Sequence, residues 1–170
     1  IAMVFQHFSL FDALNVAENI ALGMENPPKI NDLSEKIENV SKSYGLPLDP
    51  KRLVGQLSAG ERQRVEIIRC LLQNPKLLIM DEPTSVLTPN EVKTLFETLL
   101  RLKKEGKSIL YISHKLEEIR EICDFATILR NGEKVGSCIP KNTSAKQIGE
   151  MMVGKSFSSP SRENRVFGEK

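Results

Sequence analysis

Two adjacent carboxylates follow a short apolar run near the middle of the chain. Residues 77–80 lie between Pro75 and Pro83, a pattern that predicts a buried parallel strand ending at Asp81 and Glu82. Ligands of α/β proteins bind at the carboxyl ends of strands, so both acids are candidates for chemistry. Asp81 could hold Mg²⁺ directly or through water, and Glu82 could polarise a water molecule for attack on a phosphate. A solvated acidic turn is the alternative, and this segment alone supports both interpretations.

A second candidate site is the start of a predicted helix within residues 57–65. Ser58 and Glu61 have the spacing of a capping box, which predicts that a helix begins here. The free N–H groups and the positive dipole end of such a helix attract anions, and Gly60 would let a phosphate come close. Capped helices that bind no ligand are common, and the spacing alone favours that simpler interpretation.

Two further polar residues stand just past predicted strands. His114 follows the strand predicted at 108–112 and would share a sheet edge with Glu82, where it could hydrogen-bond a terminal phosphate. Gln6 follows the apolar start of the chain and could contact both a metal ion and the attacking water. Simpler alternatives exist, because a lone histidine is more often structural or solvent-facing and a single glutamine identifies nothing.

The surrounding pattern predicts an α/β protein. Residues of about 12–72 are expected to be mostly helical, with a first helix capped at Asn15 and stopped at Gly23, and a second capped by Asn31 or Asp32. Strands and helices then alternate, which is typical of an α/β sheet. The predicted strands are residues 77–80, 108–112, 125–129 and 134–136, with a turn at 131–132, and the predicted helices are 92–102, 115–121 and one from Asn142 or Thr143 to Val153.

Length and composition exclude several classes of protein. The chain has 170 residues, and its net charge of +2 gives no strong field for nucleic acid or an anionic membrane. A hydrophobic fraction of 40% is that of a globular domain, and no apolar run approaches the roughly 18 residues of a membrane span. Cys70, Cys123 and Cys138 form no Cys-x-x-Cys pair and are interpreted as reduced cytosolic thiols. With only two histidines, zinc is not expected.

Four of these segments occur in the order found in the ATP-binding cassette (ABC) family of ATPases, which the chain resembles over residues 1–154. Gln6 corresponds to the Q-loop, residues 57–61 to the signature motif, residues 77–82 to Walker B and His114 to the switch histidine. The resemblance implies an α/β, partial P-loop NTPase fold, whose parallel-sheet core lacks its N-terminal strands and phosphate loop. The implied division is a core strand and Q-loop at 1–11, a helical subdomain with the signature motif at 12–72, an α/β core with Walker B and the switch histidine at 73–154, and a tail or linker at 155–170.

The resemblance narrows to transporter cassettes. Only 51 positions separate Gln6 from Leu57, room for a compact helical subdomain but not for a long coiled-coil arm. Five segments look like the first half of tandem cassette proteins that energise importers of simple sugars and nucleosides: residues 5–11, 15–20, 61–67, 82–89 and 151–154. We expect nucleoside or ribose-type import. The alternatives are a soluble ABC ATPase without a transport role, and a degenerate cassette that acts only as a docking module.

The resemblance also implies roles for the candidate residues. ATP and Mg²⁺ are the implied cofactors, with Gln6 and Asp81 at the metal, Glu82 activating water and His114 steadying the γ-phosphate. These residues would act on nucleotide in their own cassette. The signature residues would instead bind the nucleotide of an opposing cassette: Ser58, Ala59, Gly60 and Glu61.

The implied partners are membrane permease subunits, a second cassette and, indirectly, a solute-binding protein, with no nucleic acid. The implied location is cytoplasmic, at the inner face of the cell membrane. Phe5, Phe8 and Phe11, near the Q-loop, are candidates for gripping a cytoplasmic helix of the permease, although core packing is the favoured interpretation.

The sequence departs from the family pattern in three ways. Ala59 and Glu61 replace the commonest glycine and glutamine, and Thr88 stands where an aspartate usually follows Walker B, which puts signalling between cassettes in question. No phosphate loop precedes Gln6, so we expect the chain to begin after that loop and to hydrolyse little or no ATP alone. Residues 149–156 fit G-x-x-x-x-G-K-S, but a predicted helix leads into them where a phosphate loop needs a strand, so we interpret the match as a coincidence.

Overall fold

A computed structural model describes residues 1–154 of the chain, which divides into two compact units, residues 1–115 and a second unit that begins at Leu116. The tail or linker predicted at 155–170 lies outside the described residues. The chain has the predicted α/β class, with a parallel sheet and helices in the first unit. The finer division into a core strand, a helical subdomain and an α/β core stays a prediction.

The sheet of the first unit has three parallel strands in chain order: β1 (Ala2–Val4), β2 (Leu77–Asp81) and β3 (Ser108–Ile112). Val4 pairs with Met80, and Met80 pairs in turn with Tyr111. Successive side chains point to opposite faces, and Val4 and Met80 are completely buried on one of them. Leu110, on the other face, is 51% exposed. One face of the sheet therefore carries the apolar core of this unit.

Capping residues set the starts of three helices in the first unit. Asn15, Ser58 and Thr88 each form a capping box, in which the side chain accepts a hydrogen bond from an N–H three residues on and a carboxylate there accepts one in return. The predicted helix starts at Asn15 and Ser58 are therefore confirmed. The helices are α1 (Val16–Leu22), α2 (Ile30–Ser43), α3 (Ala59–Leu72) and α4 (Pro89–Lys104), with a short 3₁₀ turn at Val54–Gln56.

The start of α2 differs from the prediction. The helix begins at Ile30, and Lys29 precedes it without a side-chain cap, so the cap expected at Asn31 or Asp32 is wrong. Burial supplies the stabilisation that a cap would otherwise give, because Leu33 in the first turn is completely buried.

The second unit contains a β-hairpin and two helices: α5 (Leu116–Ile122), β4 (Ala126–Arg130), β5 (Glu133–Cys138) and α6 (Ala145–Val153), with a 3₁₀ turn at Pro140–Asn142. The hairpin turn at Asn131 and Gly132 has φ angles of 51° and 81°, the left-handed conformation that an Asn-Gly pair adopts readily. The predicted turn is therefore confirmed.

The structure of α6 bears on two predictions from the sequence, the position of its cap and the G-x-x-x-x-G-K-S match. Ser144 caps α6 through a capping box with Gln147, so the cap expected at Asn142 or Thr143 is wrong by one or two positions. Gly149 lies inside α6, which continues to Val153. Residues 149–153 of the G-x-x-x-x-G-K-S match are thus helical, Gly154 ends the helix in the left-handed conformation, and the end of the match at 155–156 lies outside the described residues.

Candidate functional site

The carboxyl ends of the three strands bring separate segments of the chain to one edge of the sheet. Gln6 follows β1, Glu82 follows β2 directly, and His114 follows β3. Because the strands are parallel and paired in register, their carboxyl ends lie side by side. Asp81 is the last residue of β2 and is half-buried, whereas Gln6 is exposed. All four candidate residues therefore belong to one edge, while their chemical roles stay predictions.

Glu82 and His114 are in direct contact at this edge. Oε1 of Glu82 lies 2.6 Å from Nδ1 of His114. An ionised carboxylate only accepts hydrogen bonds, so the imidazole Nδ1–H donates in this pair. The Glu82 side chain is 20% exposed and the His114 side chain 68% exposed. The pair thus combines a largely buried carboxylate with an imidazole that reaches into solvent.

The backbone at Glu82 has an unusual conformation. Its φ is 47°, in the left-handed region that glycine and asparagine adopt more easily than glutamate. The Glu82 N–H donates to the Ile112 carbonyl at 3.0 Å, which joins the start of this turn to the end of β3. A non-glycine residue held in this region costs about 1–3 kcal/mol, and such residues cluster at functional sites. This turn sets the position from which the Glu82 carboxylate meets His114.

Lys115 ties together the loops on either side of that pair. Its Nζ donates to the hydroxyl of Thr84 at 3.0 Å and to the Thr84 carbonyl at 3.2 Å. Thr84 is only 2% exposed, so the contact lies in a protected position. The link holds the loop after Glu82 against the segment that carries His114. Sequence reasoning assigned Lys115 no role, and the only signal was a cation directly after the candidate histidine.

The start of α3 is held by local hydrogen bonds. The Glu61 N–H donates to Oγ of Ser58 at 3.2 Å, and Oε2 of Glu61 accepts from the Ser58 N–H at 2.8 Å. Nη1 of Arg52 donates to the other Glu61 oxygen at 2.5 Å. The pKa of the Glu61 carboxyl is lowered, first by the Ser58 backbone hydrogen bond, with Arg52 contributing less. The positive end of this helix is therefore occupied by a carboxylate of the protein itself, that of Glu61.

The candidate signature residues differ in exposure. Ser58 and Ala59 are exposed, whereas Gly60 is buried. A Cβ atom placed on Gly60 would lie 2.8 Å from Oε2 of Glu91, on α4. The side-chain space of Gly60 is therefore filled by a carboxylate. Contact between Gly60 and a phosphate stays a prediction.

A buried ion pair connects α3 to the segment that follows Gln6. Glu66 is 1% exposed, pairs with Arg69 and accepts a hydrogen bond from the Ser9 N–H at 2.9 Å. Arg69 donates in turn to the Ser9 carbonyl at 3.3 Å. Burial raises the pKa of the Glu66 carboxyl, and Arg69 opposes that shift. Sequence reasoning missed this connection, for which the only signal was a Glu and an Arg three positions apart on the predicted helix.

Two phenylalanines near the candidate Q-loop are exposed. Phe11 is 62% exposed and Phe5 is 47% exposed, so the favoured interpretation of core packing is wrong for both. Phe8 is half-buried. The backbone of Phe11 is fixed by buried Asn19, whose side chain accepts from the Phe11 N–H at 2.7 Å and donates to its carbonyl at 3.0 Å. The segment is therefore anchored through its backbone and presents aromatic rings to solvent.

The sheet edge has the donor chemistry that Mg²⁺ requires. Asp81 and Gln6 offer carboxylate and amide oxygens, the hard ligands that Mg²⁺ prefers. Within residues 1–154 no three acidic, histidine or cysteine side chains gather as a metal cluster. A Mg²⁺ ion usually takes one or two protein carboxylates and completes its shell with phosphate oxygens and water, which fits this sparse set.

Among the helices of residues 1–154, none has the length and apolar character that a membrane span requires.

Comparison with known proteins identifies the class of protein that this fold and edge define. The family model for the ABC transporter matches residues 1–85, half of the chain. An ATP-binding cassette of an ABC transporter, crystallised in its ADP conformation, is similar with a TM-score of 0.72 and 26% identity, over 91% of this chain and 68% of that one. The chain belongs to the ABC transporter family and has the P-loop NTPase fold of its ATPase domains.

The curated relatives that the chain resembles include ATP-binding proteins of nucleoside and ribose import. The nucleoside import ATP-binding protein NupA of Lactococcus lactis subsp. cremoris is 44% identical over 93% of this chain. The ribose import ATP-binding protein RbsA of Geobacillus kaustophilus is 40% identical over 98% of this chain. The match covers 32% and 35% of those two proteins, so this chain spans about a third of their length.

Proposed function

We propose that this chain is part of the ATP-binding and ATP-hydrolysing component of an ABC importer for nucleosides or simple sugars. The observation that carries the proposal is the 2.6 Å contact between Glu82 and His114 at the carboxyl edge of a parallel sheet. A largely buried carboxylate that is oriented by an imidazole is suited to positioning a water molecule for attack on a phosphate. The similarity to nucleoside and ribose import proteins supports the transport role.

Each candidate residue at the sheet edge has a role that its side-chain chemistry allows. Asp81 and Gln6 hold Mg²⁺ through their side-chain oxygens, and bound Mg²⁺ neutralises phosphate charge. One oxygen of Glu82 is engaged by His114, which leaves the other to accept a hydrogen bond from the attacking water. His114 is mostly exposed and can donate from its other ring nitrogen to a terminal phosphate when that nitrogen is protonated.

The start of α3 serves a second nucleotide. Ser58 and Ala59 are exposed there and reach the nucleotide of an opposing cassette, together with Gly60 and Glu61. This arrangement requires two cassettes, and hydrolysis by this chain alone is therefore little or none. The chain acts with membrane permease subunits at the cytoplasmic face of the membrane, and a solute-binding protein delivers the nucleoside or sugar. Phe5 and Phe11, both exposed, are candidates for the contact with the permease.

The test is a Glu82→Gln substitution in the complete protein, assembled with its permease in lipid vesicles. ATP hydrolysis should fall about 10²-fold or more, the typical contribution of a general base. Binding of Mg-ATP should change by less than about threefold, because glutamine keeps the shape of the side chain and one acceptor oxygen for His114. Hydrolysis is measured by phosphate release, and import by uptake of labelled guanosine and ribose.

Glu97→Gln is the matched control, because Glu97 is an exposed glutamate on α4 and outside the candidate site. It should leave both hydrolysis and uptake unchanged. Unchanged hydrolysis in Glu82→Gln would refute the role of Glu82. Hydrolysis without uptake of either solute would refute the proposed substrate class and leave the ATPase intact.

A further inference from the structure

The carboxylate of Glu91, in the first turn of α4, is held from two sides. Its Oε2 accepts from the Thr88 backbone N–H at 2.9 Å and from the Thr88 hydroxyl at 2.8 Å. Its Oε1 accepts from Nη2 of Arg64, on α3, at 3.3 Å. Only 22% of the Glu91 side chain is exposed. The carboxylate is therefore fixed between the loop that follows Glu82 and the helix that Ser58 caps.

Gly60 is the residue of α3 that makes room for this carboxylate. A Cβ atom on Gly60 would lie 2.5 Å from Cδ of Glu91 and 2.8 Å from its Oε2. Both separations are shorter than normal contact between non-bonded heavy atoms. The Glu91 side chain is flexible in itself, but moving it away would break its bonds to Thr88 and Arg64. Even the smallest side chain at position 60 would thus disconnect the two elements.

Electrostatics favour the ionised form of Glu91 at this position. The pKa of its carboxyl is lowered by the hydrogen bond from the Thr88 backbone and then by that from the Thr88 hydroxyl, against the opposing effect of burial. The family pattern has an aspartate where this chain has Thr88. In this chain Thr88 instead donates two hydrogen bonds to the Glu91 carboxylate, from its backbone N–H and its hydroxyl.

We propose that Glu91 is a positioning residue, which locks the first turn of α3 to the loop at residues 83–88, and that Gly60 admits the Glu91 carboxylate because it lacks a Cβ atom. The inference rests on the proposed function, in which Ser58 and Gly60 face the nucleotide of an opposing cassette. Glu91 touches no reacting atom. It acts by fixing where Ser58 stands relative to the loop that follows Glu82.

A double-mutant cycle in the complete protein with its permease tests this proposal. The four proteins are the wild type, Gly60→Ala, Glu91→Ala and the double variant. Gly60→Ala should lower kcat about tenfold in the wild-type background, because it expels the Glu91 carboxylate. The same change should lower kcat by a clearly smaller factor when Glu91 is already alanine, because only the direct loss at the nucleotide then remains. KM for ATP should stay within about twofold in Glu91→Ala, because Glu91 contacts no nucleotide.

Two further variants sharpen the cycle. Glu91→Gln keeps the acceptor for the Thr88 N–H but loses the ion pair with Arg64, so its kcat should lie between those of wild type and Glu91→Ala. Glu97→Ala, an exposed position on the same helix, should match wild type. An equal loss of kcat from Gly60→Ala in both backgrounds would overturn the proposal, because it would mean that position 60 is a glycine for a reason independent of Glu91.

The midpoint of thermal unfolding supplies a second readout of the same cycle. Gly60→Ala should lower the midpoint in the wild-type background and should have less than half that effect beside Glu91→Ala. Additive shifts would overturn the proposal. If the wild-type protein fails to hydrolyse ATP, the proposed function is wrong, but the unfolding cycle still decides whether Glu91 and Gly60 are coupled.

Discussion

The sheet edge that carries Glu82 and the helix start that carries Ser58 are held together in different ways. At the edge, Glu82 contacts a residue 32 positions away, and its backbone adopts a left-handed φ of 47°. At the helix start, Ser58 is bonded to a residue three positions away, and its own backbone is extended. The edge is thus assembled by tertiary structure, and the helix start by the local sequence.

This difference indicates how each region should respond to amino-acid substitution. A contact between distant segments depends on every element that positions them, so the Glu82–His114 geometry relies on the register of β2 and β3 and on the link from Lys115 to Thr84. A capping box depends on two residues in one helical turn. We expect substitutions at the edge to change the rate of hydrolysis most strongly, and loss of the capping group at the helix start to lower stability as well.

After Glu82→Gln, the largest expected effect is that of His114→Ala in the complete protein. Loss of the Glu82 partner and of the phosphate donor should lower kcat about 10²-fold. His7→Ala is the control, because His7 is exposed and lies just past β1. Steady-state phosphate release measures both. A kcat for His114→Ala within threefold of wild type would mean that the imidazole does not orient the carboxylate during turnover.

Lys115→Met should have the next largest effect. Methionine keeps much of the aliphatic length but removes both hydrogen bonds to Thr84. The His114 side chain would remain but would be less firmly positioned. We therefore expect kcat to fall about tenfold. Lys93→Met, at an exposed position of α4, is the control. If His114→Ala and Lys115→Met act through the same contact, the double variant should be no slower than His114→Ala, whereas multiplied losses would contradict that.

Sequence and structure agree best where contacts are local. The capping boxes at Asn15 and Ser58 and the Asn-Gly turn involve residues at most three positions apart, so spacing alone predicted them. The sequence predicted that Glu82 and His114 share a sheet edge, because each follows a predicted strand, but it did not predict their direct contact. Two connections were not predicted, because their partners are far apart in sequence: Lys115 with Thr84 and Glu66 with Ser9.

Burial explains the errors as well. The cap predicted for α2 failed because the packing of Leu33 stabilises the first turn without one. Phe5 and Phe11 were expected in the core because large apolar side chains are usually buried, yet the backbone of Phe11 is held by Asn19 and its ring stays outside. A pattern of residue types does not contain the tertiary contacts that decide such cases.

Ser58→Ala tests the stability side of the comparison. Removing the cap should lower the free energy of unfolding by about 1 kcal/mol, the usual cost of an N-cap serine. Asn15→Ala removes the corresponding cap of α1 and should cost a similar amount, since both helices have complete capping boxes. Chemical denaturation of the complete protein measures both. The comparison fails if Ser58→Ala leaves stability unchanged, because the helix start would then be held by tertiary contacts after all.

The smallest expected effect is the pH dependence carried by Glu61. Its pKa is lower in the folded protein than in the unfolded chain, so its contribution to stability is complete above the unfolded pKa and is lost as pH falls through the folded one. Glutamine at this position keeps the capping box but cannot ionise. Glu61→Gln should therefore cost about 0.3 kcal/mol at pH 7, because solvent screens the partly exposed carboxylate. The difference from wild type should shrink as pH falls below the ordinary glutamate pKa of about 4.3 and vanish below the lowered pKa of the folded protein. Urea unfolding across that range measures it, and a constant difference at all pH values would show that the Glu61 charge does not stabilise the start of α3.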